Sequence, residues 1–125
     1  MERRLASERC EACRPGAPRV RDDELPNLLA AVPDWERTVW DGSDRLRRAY
    51  RFPDFASALE FTARAGALAE AEDHHPTITL RWGRVTVSWW THVIAGLHRN
   101  DFRMAAKCDA IYREMAPAGG VAPAG

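Results

Sequence analysis

From Ile78 to Trp89 apolar and polar residues alternate around a single glycine, in the run ITLRWGRVTVSW. A period of two predicts two half-buried strands. Gly83-Arg84 fits the centre of a type II′ hairpin turn, with glycine in the first, positive-φ position. In that register Trp82 pairs with Val85, Leu80 with Val87 and Ile78 with Trp89, so one sheet face is wholly apolar. The other face carries Arg81 with Thr86, Thr79 with Ser88 and Thr77 with Trp90. Two rungs further His75 faces His92, and direct cross-strand partners have Cβ atoms about 4.5–5.5 Å apart.

Elsewhere the pattern predicts a short helix capped by Asp22, with Leu25, Leu28, Leu29 and Val32 as its apolar stripe. Trp35 to Trp40 and Leu46 to Phe52 read as strands around an Asp41-Gly42-Ser43 turn. Asp54 caps a longer helix to about Glu72, with Phe55, Leu59, Thr62, Ala63 and Gly66 facing inward. A last helix from about Asn100 to Met115 places Phe102, Ala105, Cys108, Tyr112 and Met115 on one face. The order α-β-β-α-β-β-α predicts an α+β fold: a four-stranded antiparallel sheet with three helices packed on one face. Residues 1–20, charged and interrupted by Pro15, Gly16 and Pro18, read as a flexible arm. Residues 21–115 form a single domain, and the low-complexity stretch 116–125 reads as a disordered tail.

Composition removes several function classes. A formal net charge of zero over 125 residues gives no electrostatic case for nucleic acid or an anionic membrane. Arg45, Arg47, Arg48 and Arg51 read as a solvated strand face, not a nucleic-acid groove. No apolar run approaches the roughly 18 residues of a membrane span. Nor does MERRLASERCEAC resemble a secretory signal, so a cytoplasmic location is expected. Three cysteines cannot all pair, which suits a reducing compartment. Cys10 and Cys13 form a lone C-x-x-C without the further ligands of a zinc site.

The residues around this hairpin carry the chemistry. Imidazoles with unperturbed pKa near 6.5 can donate or accept a proton at neutral pH. Acid–base work is preferred here to metal binding, because a stable metal site needs a third and fourth ligand.

The stretch His74-His75-Pro76, Trp82, the strand Val85 to Trp90, Thr91-His92, Gly96-Leu97 and Asn100-Asp101 resembles the pterin-4a-carbinolamine dehydratases, also called dimerisation cofactors. LPNLLAAVPDW and DFASALEF extend the likeness, which covers about Asp22 to Tyr112. It implies loss of water from a 4a-hydroxytetrahydropterin to give quinonoid dihydropterin, in tetrahydrobiopterin recycling, without a cofactor or metal. His74, His75 and His92 are then the catalytic trio, His92 and His74 dividing the acid and base roles while His75 mainly holds the pterin. Pro76, Thr91, Val93 and Ile94 line the pocket with the histidines, and Trp90 stacks on the pterin. The family further implies a homodimer or homotetramer and a pterin-dependent aromatic amino-acid hydroxylase as functional partner. A non-catalytic interaction module on the same scaffold is the rival reading. Two departures stand out. Val93 replaces a frequent acidic residue, and His98 stands where a capping Ser or Thr is usual. Asp101 is therefore expected to act alone at the helix N-terminus, as a structural residue.

Overall fold

The computed structural model describes residues 2–11 and 16–115. Cys13 and the expected tail at 116–125 lie outside the described residues. Helix α1 (Glu2–Ser7) precedes α2 (Leu25–Ala31), strands β1 (Glu36–Trp40) and β2 (Ser43–Arg51), and helix α3 (Phe55–Glu72). Strands β3 (Thr77–Arg81) and β4 (Arg84–Trp89), a 3₁₀ turn (His92–Ile94) and α4 (Arg99–Met115) complete the chain. The four antiparallel strands lie in the order β1-β2-β4-β3. The expected α+β order is present, with one further small helix at the start.

Asp41 and Gly42 both take positive φ, 51° and 76°, between the paired residues Trp40 and Ser43. This is the two-residue turn that Asp-Gly favours between twisted strands. The β3–β4 hairpin corrects the expected register. Arg81 pairs with Arg84, Leu80 with Val85 and Ile78 with Val87, so Trp82 and Gly83 form the turn. Gly83 supplies positive φ, 67°, at the second central position, and Trp82 projects into solvent with 66% exposure. The shift is two residues. Each side chain except Trp82 therefore keeps its expected face, but His75 no longer stands opposite His92.

The inward face joins Leu46, Tyr50, Val85, Val87 and Trp89 to the helices in one core. The inner stripe of α3 is Ala58, Phe61, Ala65 and Ala69. Phe55 and Leu59, expected inside, are 44% and 49% exposed, and Ala63 is exposed too. Small alanines let the helix lie close to the sheet, and the larger side chains rotate outward. Asp54 caps α3 as expected, accepting the Ser57 amide at 2.7 Å. At α2 the N-cap is Glu24, without a side-chain cap bond, in place of the expected Asp22.

The start of the chain also corrects the expectation of a loose arm. Leu5 is fully buried in the core cluster, and α1 lies along α4. Glu8 accepts bonds from Arg99 Nε and Nη2 at 3.0 and 3.1 Å, and from Arg103 Nε at 2.7 Å. Hydrogen bonding from Arg99, helped by Arg103, holds the Glu8 carboxyl down at about 2, against an ordinary 4.5. A depressed carboxyl pKa stabilises the fold above its unfolded value and ceases to do so as pH falls through the folded one. Protection of α1 amides in hydrogen exchange, corrected for intrinsic rates, should therefore fall between pH 4.5 and 2. Unchanged protection across that window would remove Glu8 as the anchor.

Candidate active site

Helix α3 ends on Asp73, whose left-handed φ of 51° reverses the chain and turns His74 inward. A carboxylate residue tolerates this conformation better than most. His74 is 5% exposed and stacks nearly parallel on Trp89, with ring centroids 5.7 Å apart. Its Nε2 lies 2.7 Å from Asp101 Oδ1. The other oxygen, Oδ2, accepts Thr91 Oγ1–H and the His98 backbone N–H, both at 2.9 Å. Asp101 is wholly buried. A carboxylate oxygen accepts, so the His74 tautomer that bonds Asp101 Oδ1 is the one with its proton on Nε2.

Thr91 also closes the loop that carries His92. Its amide donates to the Gly96 carbonyl at 2.9 Å, and the Gly96 amide returns a bond at 3.4 Å. Between them run the 3₁₀ turn and Ala95 in a left-handed conformation, φ 50°. Arg19 braces this loop from outside, its Nε and Nη2 donating to the Ile94 carbonyl at 3.0 and 2.6 Å. His92 and Val93 point to solvent, whereas Ile94 is buried.

The three histidines thus meet three different partners. His74 pairs with Asp101, and exposed His75 reaches Glu70 at 3.3 Å. His92 packs against Trp90, with centroids 4.2 Å apart and planes tilted by 32°. Arg45 lies over the same Trp90 ring at 3.6 Å, so the indole offered to a pterin in the sequence reading is already engaged. The His74-His75-Pro76 and Thr91-His92 segments are joined through the buried Asp101 carboxylate, not through facing rungs of the hairpin. A concavity of about 740 Å³ on the open sheet face, lined by Arg45, Arg47, Arg84 and Thr86 among others, includes none of the histidines. Among the described residues no group of three or more His, Cys, Asp and Glu side chains converges as a metal site.

Two site residues escaped the sequence reading, Arg19 and the capping role of His98. His98 did stand at the right spacing, three before Asp101, but an imidazole is not among the usual caps.

Residues 18–111 match the family model for pterin 4 alpha carbinolamine dehydratase. The chain belongs to that family. Two bacterial relatives carry the provisional name pterin-4-alpha-carbinolamine dehydratase. One, from Syntrophotalea carbinolica, is 56% identical over 108 residues, covering 86% of this chain and 96% of the relative. The other, from Nitrosococcus oceani, is 53% identical over 109 residues, covering 87% and 96%. A solved structure from Brucella melitensis, titled a transcriptional coactivator/pterin dehydratase, superposes with a TM-score of 0.69 at 35% identity. It covers 75% of this chain and 98% of its own. These dehydratases are carbon–oxygen lyases. Every candidate site residue falls within the matched span, whereas α1 and Cys10 precede it.

Proposed function

We propose that the chain removes water from a 4a-hydroxytetrahydropterin by histidine acid–base catalysis, as a step in tetrahydrobiopterin recycling. The observation that supports this most is the buried His74–Asp101–Thr91 linkage, which ties the two histidine segments together within a dehydratase family. Dehydration needs one proton placed on the departing 4a-oxygen as its C–O bond breaks. A second proton leaves N5 as the C=N bond forms. No electrons are exchanged with a partner. His92, exposed at its loop, and His74, oriented by Asp101, divide these two roles. His75 and Pro76 hold the pterin, with Thr91, Val93 and Ile94 beside them. General acid–base groups contribute about 10²–10⁴-fold each. The test is quinonoid dihydropterin formation from chemically prepared 4a-hydroxytetrahydropterin. A rate no faster than in buffer alone would overturn the assignment.

The described cysteines Cys10 and Cys108 are free thiols, and no described helix is long and apolar enough to cross a membrane. The free thiols suit the cytoplasm, where a pterin-dependent aromatic amino-acid hydroxylase would supply the substrate. We also propose a homo-oligomer, dimer or tetramer. β1 and β3 are the sheet edges, and exposed edges favour pairing or cover. Phe55 and Leu59, one helical turn apart on α3, add an exposed apolar strip. Light scattering at micromolar concentration should give at least twice the chain mass, and Leu59→Glu should lower it. A wild-type monomer would contradict the proposal. The same strip keeps a protein-interaction role as the second reading.

A further inference from the structure

The N-terminus of α4 is closed by an imidazole. His98 is 6% exposed, and its Nδ1 accepts the Asn100 backbone N–H at 2.9 Å. Its own backbone N–H donates to Asp101 Oδ2 at 2.9 Å. Each residue thus satisfies an N–H group at the helix start, the reciprocal arrangement of a capping box, with a ring nitrogen in place of the usual hydroxyl. Asp101 consequently does not stand alone, contrary to the sequence expectation. It is held by His98 and Thr91 on one oxygen and meets His74 with the other.

Only a His98 whose Nδ1 is bare can accept the Asn100 bond, so its proton lies on Nε2, 3.8 Å from Glu11 Oε2. The charged and titratable groups around it come from three elements. Glu11 belongs to the segment after α1, Asp101 and Arg103 to α4, and His74 to the turn after α3. Arg99 adjoins it in sequence. Burial lowers the His98 pKa below 6.5, against the upward pull of Asp101 and Glu11. A proton on Nδ1 would set one donor against another and break the cap.

We infer that His98 is a positioning residue for His74: its uncharged ring fixes the first turn of α4, and thereby the Asp101 carboxylate that orients the His74 imidazole. The inference rests on the role proposed above for the His74–Asp101 pair. Its hold is complete above about pH 6.5 and weakens as pH falls below the folded pKa of His98.

The test compares the full-length wild type with His98→Ala and His98→Ser, because serine restores a cap acceptor that does not titrate. Two readouts are needed: kcat and KM against pH, and the nitrogen NMR signals of the His74 and His98 rings. In the wild type His98 should appear as the Nε2–H tautomer, and the His74 signals should move as His98 titrates. His98→Ala should lower kcat by between about fivefold and a hundredfold, because a loosened cap lets Asp101 and the His74 ring leave the productive geometry, with KM unchanged within about twofold. His98→Ser should recover kcat at neutral pH and lose the His98-linked part of the acid limb. Unchanged His74 signals and kcat in His98→Ala would overturn the inference, as would a wild-type acid limb in His98→Ser. If the wild type proves not to dehydrate the pterin, the His74 signals decide alone: displacement in His98→Ala with recovery in His98→Ser supports the positioning role, and no displacement ends it. Should the alanine variant fail to fold, the serine variant's acid limb and His74 titration decide by the same criteria.

Discussion

Replacing His92 by alanine is expected to cut turnover at least about a hundredfold, at the low end of what a general acid or base contributes. Stability should hardly change. The side chain is exposed, its main packing partner Trp90 keeps Arg45 over its ring, and the loop is closed by backbone bonds between Thr91 and Gly96. The contrasting variant is His75→Ala. A residue that holds substrate equally in ground and transition states raises KM and leaves kcat nearly alone. Steady-state kinetics on both, with circular dichroism melts as a control, separates the roles. Near-normal turnover in His92→Ala would contradict its assignment as acid or base.

The largest stability effect is expected at Asp109. This buried carboxylate gathers Trp35 Nε1–H at 3.0 and 3.1 Å, Arg48 Nη1–H at 2.6 Å and the Tyr50 hydroxyl at 2.5 Å. Burial pushes the Asp109 carboxyl up, while bonds from Tyr50, Arg48 and Trp35 pull it down. Asp109→Asn keeps the volume and removes the charge. Arg48, with 17% of its side chain exposed, would retain the Tyr50 and Tyr112 ring faces but, among the described residues, a single carboxylate partner, the exposed Asp34 at 3.6 Å. Breaking such a buried pair from one side costs about 3–5 kcal/mol. Urea denaturation should show a loss of about 3 kcal/mol, or roughly 1–3 M in midpoint at the usual m-values. Arg37→Ala, which opens the exposed pair with Asp44, should lose less than about 1 kcal/mol. A cost at Asp109 no greater than that at Arg37 would show that the cluster contributes little.

Some elements were legible in the sequence because one local rule determined them. Asp41-Gly42 prescribes its turn, so the first hairpin follows from two residues. The second hairpin shows the limit of alternation. A slip of one residue exchanges the faces, but a slip of two leaves every face intact, so the pattern could not distinguish the two registers. The position of the turn decided between them, and Trp82 is large enough to have suggested a core role. On α3 side-chain size misled in the same way, because the inner stripe is three alanines and one phenylalanine. The start of the chain was illegible for another reason. Glu8 finds Arg99 and Arg103 more than ninety residues away, and nothing local announces such a pairing.

At the site, spacing picked out His74, His75 and His92 but not their partners. Strand counting paired His75 with His92, whereas the buried bond runs from His74 to Asp101, twenty-seven residues on. That bond depends on how the α3 C-terminus and the α4 N-terminus meet, which is a matter of tertiary packing.

The docking of α1 has a practical corollary for solubility. The shared family span starts at residue 18, whereas Leu5 packs into the core and Lys107 Nζ donates to the Ala6 carbonyl. A version trimmed to the shared span would uncover a strip of α4 that water does not now reach, and would leave Arg99 and Arg103 without Glu8. Residues 2–11 therefore act as a built-in cover, and removing them should add non-native aggregation to whatever assembly the intact protein forms.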